Sequence, residues 1–401
     1  MTLSRRTVVA LLGAGTAATV SGCAQKTPGG SKPEADGPAS AASTAAPPEV
    51  VMTPNVAEGA QVPVDTKVSV TATQGTLVAV TMTYTDPKAG PQTVQGTLAP
   101  DAATWTANSL LEPGMTYQLA MQGQSIAGVS TSRTATFTTQ ALSLKQQVFA
   151  TIASGGTVGV AMPVVVRFDV PVTDRASFQK HMRVTATPAT EGSWNWLSST
   201  EAHWRPRELW KPGTKVSIEI DINSIPAGNG RYGQKSVSGS MTIARSVILK
   251  ADLASHQMTV VIDGAPARTI PITGGKPGFE TRSGKKVVME KFSTLKMDAN
   301  SVGIEPGSPE YYNIPDVRYA MRETDSGEFI HAAPWSVGSQ GKANVSHGCI
   351  GVSTEHGAWL FQNCRVGDLI EVTGTKRGLE TGNGWTDWNV SYDQYRKGSA
   401  L

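Results

Sequence analysis

Short runs of alternating polar and apolar residues dominate the chain from about residue 50 to residue 245. In the run 67–71, for example, two valines alternate with polar residues. A period of two residues is typical of antiparallel strands with one buried and one exposed face. The 3.6-residue period of an amphipathic helix is almost absent from this region. The pattern therefore predicts a mainly β fold.

A longer pattern repeats in the same region. Trp105 lies eight residues before Pro113-Gly114, and Trp204 lies eight residues before Pro212-Gly213, at an offset of 99 residues. About 100 residues of short strands is the size of an immunoglobulin-like sandwich, so we predict two tandem Ig-like β-sandwiches. The second holds four tryptophans that we expect to pack in cores rather than to stack on a ligand. They are Trp194, Trp196, Trp204 and Trp210.

The N-terminus has the features of an export signal followed by a tether. Arg5 and Arg6 precede a weakly apolar stretch that is too short to span a membrane. It ends at Val20-Ser21-Gly22-Cys23, which resembles a bacterial lipobox, so residues 1–22 should be removed and Cys23 should carry lipid. Residues 23–50 are rich in Ala, Ser, Pro and Gly, which predicts a disordered tether. The alternative is an ordinary signal peptide cut elsewhere.

Composition excludes several classes of partner. Lys plus Arg (35) against Asp plus Glu (32) gives a net charge of +3, too little for a surface that tracks nucleic acid. No long apolar run follows the signal, so the body of the chain should not span a membrane. Three widely spaced cysteines form neither a disulfide framework nor a four-ligand zinc site. The sequence offers no metal-ligand spacing.

Two histidines and a cysteine near the C-terminus are candidate catalytic residues. Residues 328–331 predict a strand that ends at His331, and Ser346-His347-Gly348-Cys349 begins after fourteen intervening residues. Ser353 is a good N-cap for a helix over about 354–364. Cys349 would then lie just ahead of the helix, where the macrodipole favours a negative charge.

The residue types suit nucleophilic catalysis. A cysteine attacks an amide only as the thiolate, and a neighbouring histidine can accept its proton and return it to the leaving amine. His331, on a separate strand, is a better base than His347, which we expect to orient the loop. The backbone N–H groups of Gly348 and Cys349 are candidate oxyanion donors. A disulfide between Cys349 and Cys364 is the competing possibility, and it would abolish the nucleophile.

The spacing of His331 and the Ser-His-Gly-Cys motif resembles the signature of the L,D-transpeptidases, the YkuD-type enzymes that cross-link peptidoglycan. The segments 331–336 and 339–341, together with Trp204-Arg205-Pro206 and 210–214, resemble the mycobacterial branch. The resemblance implies Ig-like domains at 51–142 and 143–246, a β-rich catalytic domain at 247–373 with a short helix after the nucleophile, and a C-terminal subdomain at 374–401. We expect the aromatic residues of this subdomain to pack against the catalytic domain.

The resemblance also implies roles for individual residues. In relatives, the acceptor for the second nitrogen of the base is the carbonyl of the next residue, here Ala332. Further positions should line or cover the substrate channel or support the nucleophile loop, and these are Met297, Tyr312, Ser326, Gly327, Trp335, Ser346, His347 and Gly351. His181, His203 and His256 have no evident partner in the sequence, so we expect them to be ordinary surface or packed residues.

The implied reaction is acyl transfer on peptidoglycan stem peptides. Cys349 would attack a donor tetrapeptide at the L-centre of diaminopimelate, release D-alanine and form a thioester, which the diaminopimelate amine of a second stem resolves into a 3→3 cross-link. The resemblance implies that no metal and no organic cofactor is needed. Carbapenems should acylate the same cysteine. The protein would be exported, lipid-anchored to the outer face of the cytoplasmic membrane, and active in the cell wall or periplasmic space.

Two positions depart from the pattern of the relatives. Gly351 stands where relatives carry Asn or Arg, and Val302 stands where closely similar mycobacterial relatives carry tyrosine. Both departures remove hydrogen-bonding groups, which predicts an altered pocket and weaker β-lactam capture. Two other functions stay open at this point. One is an L,D-carboxypeptidase or endopeptidase that uses the same cysteine, and the other is a non-catalytic wall-binding lipoprotein.

Overall fold

The computed structural model describes residues 48–401. The predicted signal peptide, the lipidation site at Cys23 and most of the tether lie outside the described residues. Within residues 48–401, no helix is both long and apolar enough to cross a bilayer.

The first sandwich follows the predicted alternation of buried and exposed residues. In the inner strand 116–125 every second residue is buried, as Tyr117, Leu119 and Met121 are. Nine strands form two sheets of order β1-β3-β7-β6 and β2-β9-β8-β4-β5. They are β1 (Val51–Pro54), β2 (Gln61–Val62), β3 (Ser69–Thr73), β4 (Gly75–Asp86), β5 (Gly90–Val94), β6 (Gly96–Leu98), β7 (Thr104–Ala107), β8 (Thr116–Ser125) and β9 (Ser130–Thr139).

The second sandwich repeats this arrangement with sheets β11-β13-β16-β15 and β12-β20-β17-β14, and adds a small sheet β10-β19-β18. Its strands are β10 (Gln147–Val148), β11 (Ala150–Ile152), β12 (Gly156–Val158), β13 (Val164–Phe168), β14 (Met182–Thr187), β15 (Gly192–Trp196), β16 (Glu201–Pro206), β17 (Lys215–Ile220), β18 (Pro226–Gly228), β19 (Arg231–Gly233) and β20 (Val237–Ile243). A short helix α1 (Arg175–Gln179) follows β13, and a 3₁₀ turn at Leu144–Gln146 precedes β10.

The internal duplication is confirmed by the register of the two sandwiches. Trp105 on β7 is paired with Val70, and Trp204 on β16 is paired with Val164 at the corresponding place. Gly96 and Gly192 lie against these two indoles, where a Cβ atom would overlap the ring. The four tryptophans of the second sandwich are all buried, as expected.

The catalytic domain is built from two sheets and one helix. The sheets have orders β23-β22-β21-β29-β24 and β25-β26-β27-β28. Their strands are β21 (Val247–Asp252), β22 (Gln257–Ile262), β23 (Ala265–Pro271), β24 (Gly284–Val287), β25 (Glu290–Asp298), β26 (Asn313–Arg322), β27 (Phe329–Ala332), β28 (Ile350–Val352) and β29 (Leu369–Thr373). Short 3₁₀ turns lie at Ala299–Val302 and Pro334–Ser336. The mainly β fold class is confirmed.

The helix predicted after the nucleophile is also confirmed. Helix α2 spans Thr354–Asn363, and the hydroxyl of its N-cap residue Ser353 accepts the His356 N–H over 3.2 Å. Leu360 is fully buried with Ile330 of β27 and Ile350 of β28. Packing of α2 therefore supports β27, which contains His331, and β28, which follows Cys349.

The C-terminal segment packs differently from the prediction. It contains α3 (Tyr392–Tyr395) and 3₁₀ turns at Asp387–Asn389 and Arg396–Gly398. Its aromatic residues were expected to pack on the catalytic domain, but their main partners belong to the second sandwich. The guanidinium of Arg205 lies 4.6 Å from the rings of both Trp388 and Tyr395, and Trp388 donates its indole N–H to Ala161. Stacking on a cation and burial in an existing core account for this choice.

The expectation that His203 is an ordinary residue without a partner is wrong, because two carboxylates contact its ring. Its imidazole is fully buried, with Nδ1 3.0 Å from Oδ1 of Asp387 and Nε2 2.7 Å from Oε1 of Glu201. Burial lowers its pKa, but the two carboxylates outweigh burial and raise it to about 9. The sequence hid this contact because Asp387 is 184 residues away.

Candidate active site

One cavity of about 330 Å³ collects most of the predicted site residues at the edge of the sheet that contains β27 and β28. Eight of them line it, and these are Met297, Tyr312, His331, Trp335, Ser346, His347, Cys349 and Gly351. Five more lining residues were not predicted, and these are Thr273, Ile314, Ala333, Ser336 and Val345. Ala333 and Ser336 lie within the segment 331–336 that carries the family resemblance, although no role was predicted for them. No sequence motif marks Thr273, because its bridge to Gly351 joins distant segments only in the folded chain.

His331 is held as a neutral base at the end of β27. Its Nδ1 lies 2.9 Å from the carbonyl oxygen of Ala332, the hydrogen bond that the family resemblance implied. An N–H on Nδ1 that donates to this carbonyl leaves Nε2 as the acceptor. Burial lowers the pKa of His331, and the hydrogen bond to Ala332 opposes this shift. The imidazole is therefore in the form that can take a proton.

Cys349 rests as a thiol. Its sulfur lies 3.7 Å from the carbonyl oxygen of Gly327 and faces the backbone N–H of Phe329. Burial, together with the charges of Glu323 and Glu328, raises the pKa of Cys349 to about 12. A neutral thiol and a neutral imidazole thus line the same cavity, and proton transfer between them would create the nucleophile.

Cys349 lies farther from the start of α2 than we expected from the sequence. Strand β28 separates Cys349 from α2, and three extended residues cover roughly 10 Å. The macrodipole weakens beyond the first turn of a helix, and Ser353 already satisfies one N–H of that turn. The raised pKa of the thiol has other causes, which are burial and the charges of Glu323 and Glu328.

Residues 346–349, the nucleophile loop, are held by two hydroxyl groups, one from the loop and one from Thr281. Ser346 Oγ donates to the carbonyl of Cys349 over 2.7 Å and accepts the N–H of Gly348 over 3.1 Å. Thr281 Oγ1 donates to the carbonyl of Gly348 over 2.7 Å. Gly348 has φ +128°, which side-chain-bearing residues rarely adopt. Because its N–H is engaged in the resting loop, a role as oxyanion donor would require exchange of the Ser346 bond.

His347 is held by another set of contacts. Its Nε2 lies 2.6 Å from Oε2 of Glu310, a carboxylate that also pairs with Lys276. Its ring packs between Phe279 and Tyr312, with centroids 4.8 and 5.1 Å away. Glu310 precedes β26, so this contact joins the nucleophile loop to the segment that covers the cavity. The arrangement suits an orienting residue, the role that we expected for His347.

The hairpin of β25 and β26 covers one side of the cavity. Burial raises the pKa of Tyr312 to about 12, so its hydroxyl stays protonated and can donate a hydrogen bond. Met297 and Tyr312 also line a second cavity of about 200 Å³, together with Val302 and Gly327. Val302 packs over Gly327, whose carbonyl accepts from Cys349.

Two residues that we predicted to contact substrate, Trp335 and Ser326, lie at the mouth of the cavity and outside it, respectively. Trp335 is 57% exposed at the mouth of the cavity, with its ring centroid 5.8 Å from that of His331. Ser326 does not line the cavity. Its N–H donates to Asn383 Oδ1 over 2.9 Å, and its hydroxyl accepts from Asn383 Nδ2 over 3.0 Å. Ser326 therefore ties its loop to the C-terminal segment.

Neither a disulfide nor a metal cluster occupies this region. Cys349 and Cys364 are both free, which excludes the disulfide that competed with the nucleophile. Cys364 is 1% exposed and packs in the core. Over residues 48–401, no group of three His, Cys, Asp or Glu side chains is arranged to hold a metal ion.

The chain is similar to known proteins over both its Ig-like region and its C-terminal domain. A bacterial Ig domain model matches residues 59–226, and an L,D-transpeptidase catalytic domain model matches residues 246–372. L,D-transpeptidase 2 of Mycobacterium tuberculosis is 36% identical over 351 residues, which cover 87% of this chain and 85% of that protein. L,D-transpeptidase 1 of the same species is 39% identical over 222 residues, or 55% of this chain and 82% of that protein.

A solved structure of the L,D-transpeptidase LdtMt1 in complex with imipenem is 38% identical to the chain. It covers 56% of this chain and 97% of its own, with a TM-score of 0.49. On the sequence relationships, the chain belongs to the L,D-transpeptidase family. It is an enzyme of that class, with Ig-like domains ahead of the catalytic domain.

Proposed function

We propose that the protein forms 3→3 cross-links between peptidoglycan stems through a thioester on Cys349. The observation that carries this proposal is the presence of a neutral imidazole and a protonated thiol on the walls of one cavity. In the first step the Cys349 proton moves to Nε2 of His331, and the sulfur attacks the carbonyl of diaminopimelate in a donor tetrapeptide. The bond to D-alanine then breaks, and the imidazolium returns the proton to the leaving amine.

The second step reverses these roles. The side-chain amine of a second stem attacks the thioester, His331 takes a proton from the attacking nitrogen, and the thiolate leaves and is reprotonated. Tyr312 lines the same cavity, and its hydroxyl stays protonated. It can therefore donate a hydrogen bond to the reacting carbonyl. No step requires a metal or an organic cofactor.

Incubation with a purified disaccharide tetrapeptide tests the proposal. The wild-type chain should give a dimer that has lost one D-alanine, and a tripeptide monomer in its place would indicate hydrolysis by an L,D-carboxypeptidase. Cys349→Ala should abolish both products. Cys364→Ala is the matched control, since that buried thiol does not line the cavity and its variant should retain the dimer.

We also propose that carbapenems acylate Cys349. A strained β-lactam carbonyl presents the same electrophile as the donor amide, and the apolar wall of the cavity would hold its ring. Intact-protein mass spectrometry should show one covalent adduct that is absent from Cys349→Ala. Absence of an adduct in the wild-type chain would contradict a live nucleophile and favour a wall-binding protein without activity.

The location of the enzyme is a further part of the proposal. We place it outside the cytoplasmic membrane, anchored by lipid on Cys23 and acting on the cell wall, because the sequence around Cys23 resembles a lipobox. Metabolic labelling with an alkyne fatty acid should mark the wild-type chain in the membrane fraction. Cys23→Ser should lose the label, and a labelled Cys23→Ser chain would contradict this site.

A further inference from the structure

A buried group of charged side chains lies behind the nucleophile loop, outside the catalytic cavity. The side chains of Lys286 on β24 and Glu323 after β26 are fully buried, and that of Glu328 before β27 is 4% exposed. Lys286 Nζ donates to Oε2 of Glu328 over 2.6 Å. Arg282 donates to Oε1 of Glu328 over 2.8 Å from its side chain. We call these four residues the Lys286 cluster.

Glu323 is the member of the cluster that lacks a hydrogen bond. Lys286 Nζ lies 3.5 Å from its Oε2 but donates to Glu328 instead. Among the described residues, neither carboxylate oxygen of Glu323 has a hydrogen-bond partner. Burial and the charge of Glu328 raise the pKa of Glu323 to about 7, while Lys286 opposes that shift. A charge in this interior acts on its neighbours with little solvent screening.

The cluster reaches Cys349 through the backbone on each side of Glu328. The carbonyl of Gly327 accepts from the thiol at 3.7 Å, and the N–H of Phe329 faces the sulfur. The side chain of Glu328 also lies beside Gly348, because a Cβ there would be 3.5 Å from Glu328 Cγ. The two peptide groups that contact the sulfur therefore flank a side chain that is clamped by two cations.

We propose that Glu328 is a positioning residue for Cys349, and that the charge balance of the Lys286 cluster sets the pH at which the thiol ionises. Glu323 and Glu328 disfavour the thiolate, whereas Lys286 favours it. The other titratable groups that line the cavity with Cys349 are Tyr312 of the covering hairpin, His331 of β27 and His347, which is paired with Glu310. The consequence for catalysis rests on the proposed function, but the reactivity of the thiol can be measured without it.

Alkylation of Cys349 by iodoacetamide, followed by intact-protein mass spectrometry across the neutral and alkaline range, measures this reactivity. Glu323→Gln removes a negative charge and no observed hydrogen bond, so the midpoint of the pH profile should fall by roughly one unit. Lys286→Met removes the opposing charge, so the midpoint should rise. Glu290→Gln changes an exposed carboxylate on β25 and is the matched control, expected to leave the profile unchanged.

Opposite shifts in Glu323→Gln and Lys286→Met support the proposal, because a merely structural role would not give them opposite signs. A midpoint unchanged in Glu323→Gln, or moved the same way in both variants, overturns it. If the glutamine variant does not fold, Glu323→Leu removes the same charge and provides the same readout.

Glu328→Asp tests the positioning role separately. It keeps the charge but shortens the side chain, so it should slow alkylation several-fold and leave the midpoint in place. Wild-type alkylation in this variant would contradict positioning by Glu328. If the charge variants shift the midpoint while the wild-type chain forms no cross-links, the proposed function fails and the inference about the cluster stands.

Discussion

Gly351 lies directly opposite His331 in the parallel pairing of β28 and β27. Both residues line the catalytic cavity, and the backbone of Gly351 is closely surrounded there. A Cβ at this position would lie 3.0 Å from Thr273 Cγ2 and 3.1 Å from Ala333 Cβ. A side chain could be accommodated only if these neighbours moved by a few tenths of an ångström.

Because the required movement is small, we expect Gly351→Asn to supply a hydrogen-bonding group and to speed acylation by a carbapenem by roughly 5-fold, the contribution of one added hydrogen bond. Gly351→Ala adds only the methyl group and should acylate no faster than the wild-type chain. The time course of adduct formation by mass spectrometry measures both rates. Equal rates in the two variants would show that no hydrogen bond is missing at this position.

The rate of carbapenem acylation should begin to fall on the acid side only at a pH below the usual pKa of histidine. Burial lowers the pKa of His331, so its neutral form persists to a lower pH than that of a free imidazole, whose pKa is about 6.5. The second-order rate of carbapenem acylation, measured as a function of pH, should fall only below that value. His331→Ala should lose roughly 100-fold or more of the rate at neutral pH. A midpoint above 6.5 would contradict a buried neutral base.

Because of the contact between His203 and Asp387, the free energy of unfolding should fall as the pH rises into the alkaline range. Because the folded pKa of His203 is raised to about 9, its contribution is complete below the unfolded pKa of about 6.5. It is lost as the pH rises through about 9. Thermal unfolding should therefore shift to lower temperature between neutral pH and pH ~9.5.

The variant His203→Gln should remove most of this pH dependence and cost about 3–5 kcal/mol at neutral pH, since it leaves the buried Asp387 without its ionic partner. His356→Gln, at a half-buried position in the first turn of α2, is the control, and it should melt like the wild-type chain. A wild-type melting temperature that does not change with pH would argue against a charged His203.

The glycine that faces Trp204 should not tolerate a methyl group. A Cβ on Gly192 would overlap the indole, so Gly192→Ala should destabilise the second sandwich by about 1–3 kcal/mol. Gly155→Ala is the matched control, because the nearest atom to its Cβ would be 3.9 Å away. Urea unfolding compares the two variants. Equal losses of stability would mean that the indole can move aside.

Local patterns in the sequence determined a large part of this protein. Alternating residues gave the strands, the tryptophan spacing gave the duplicated sandwich, and Ser353 gave the start of α2. The motif around Cys349 predicted a nucleophile and its base, because the chemistry of acyl transfer constrains both residue types and their spacing. Each of these signals depends on residues close in the chain or on a fixed repeat.

Tertiary structure alone decided the surroundings of those residues. It placed Thr273 beside Gly351, buried Lys286 under Glu328, paired His203 with Asp387, and packed Trp388 on Arg205. Desolvation and charge act through space, so the pKa of a side chain depends on neighbours that can lie far away in the chain. The sequence therefore predicted the reacting groups, and the packing of distant segments decided the surroundings that shift their pKa values.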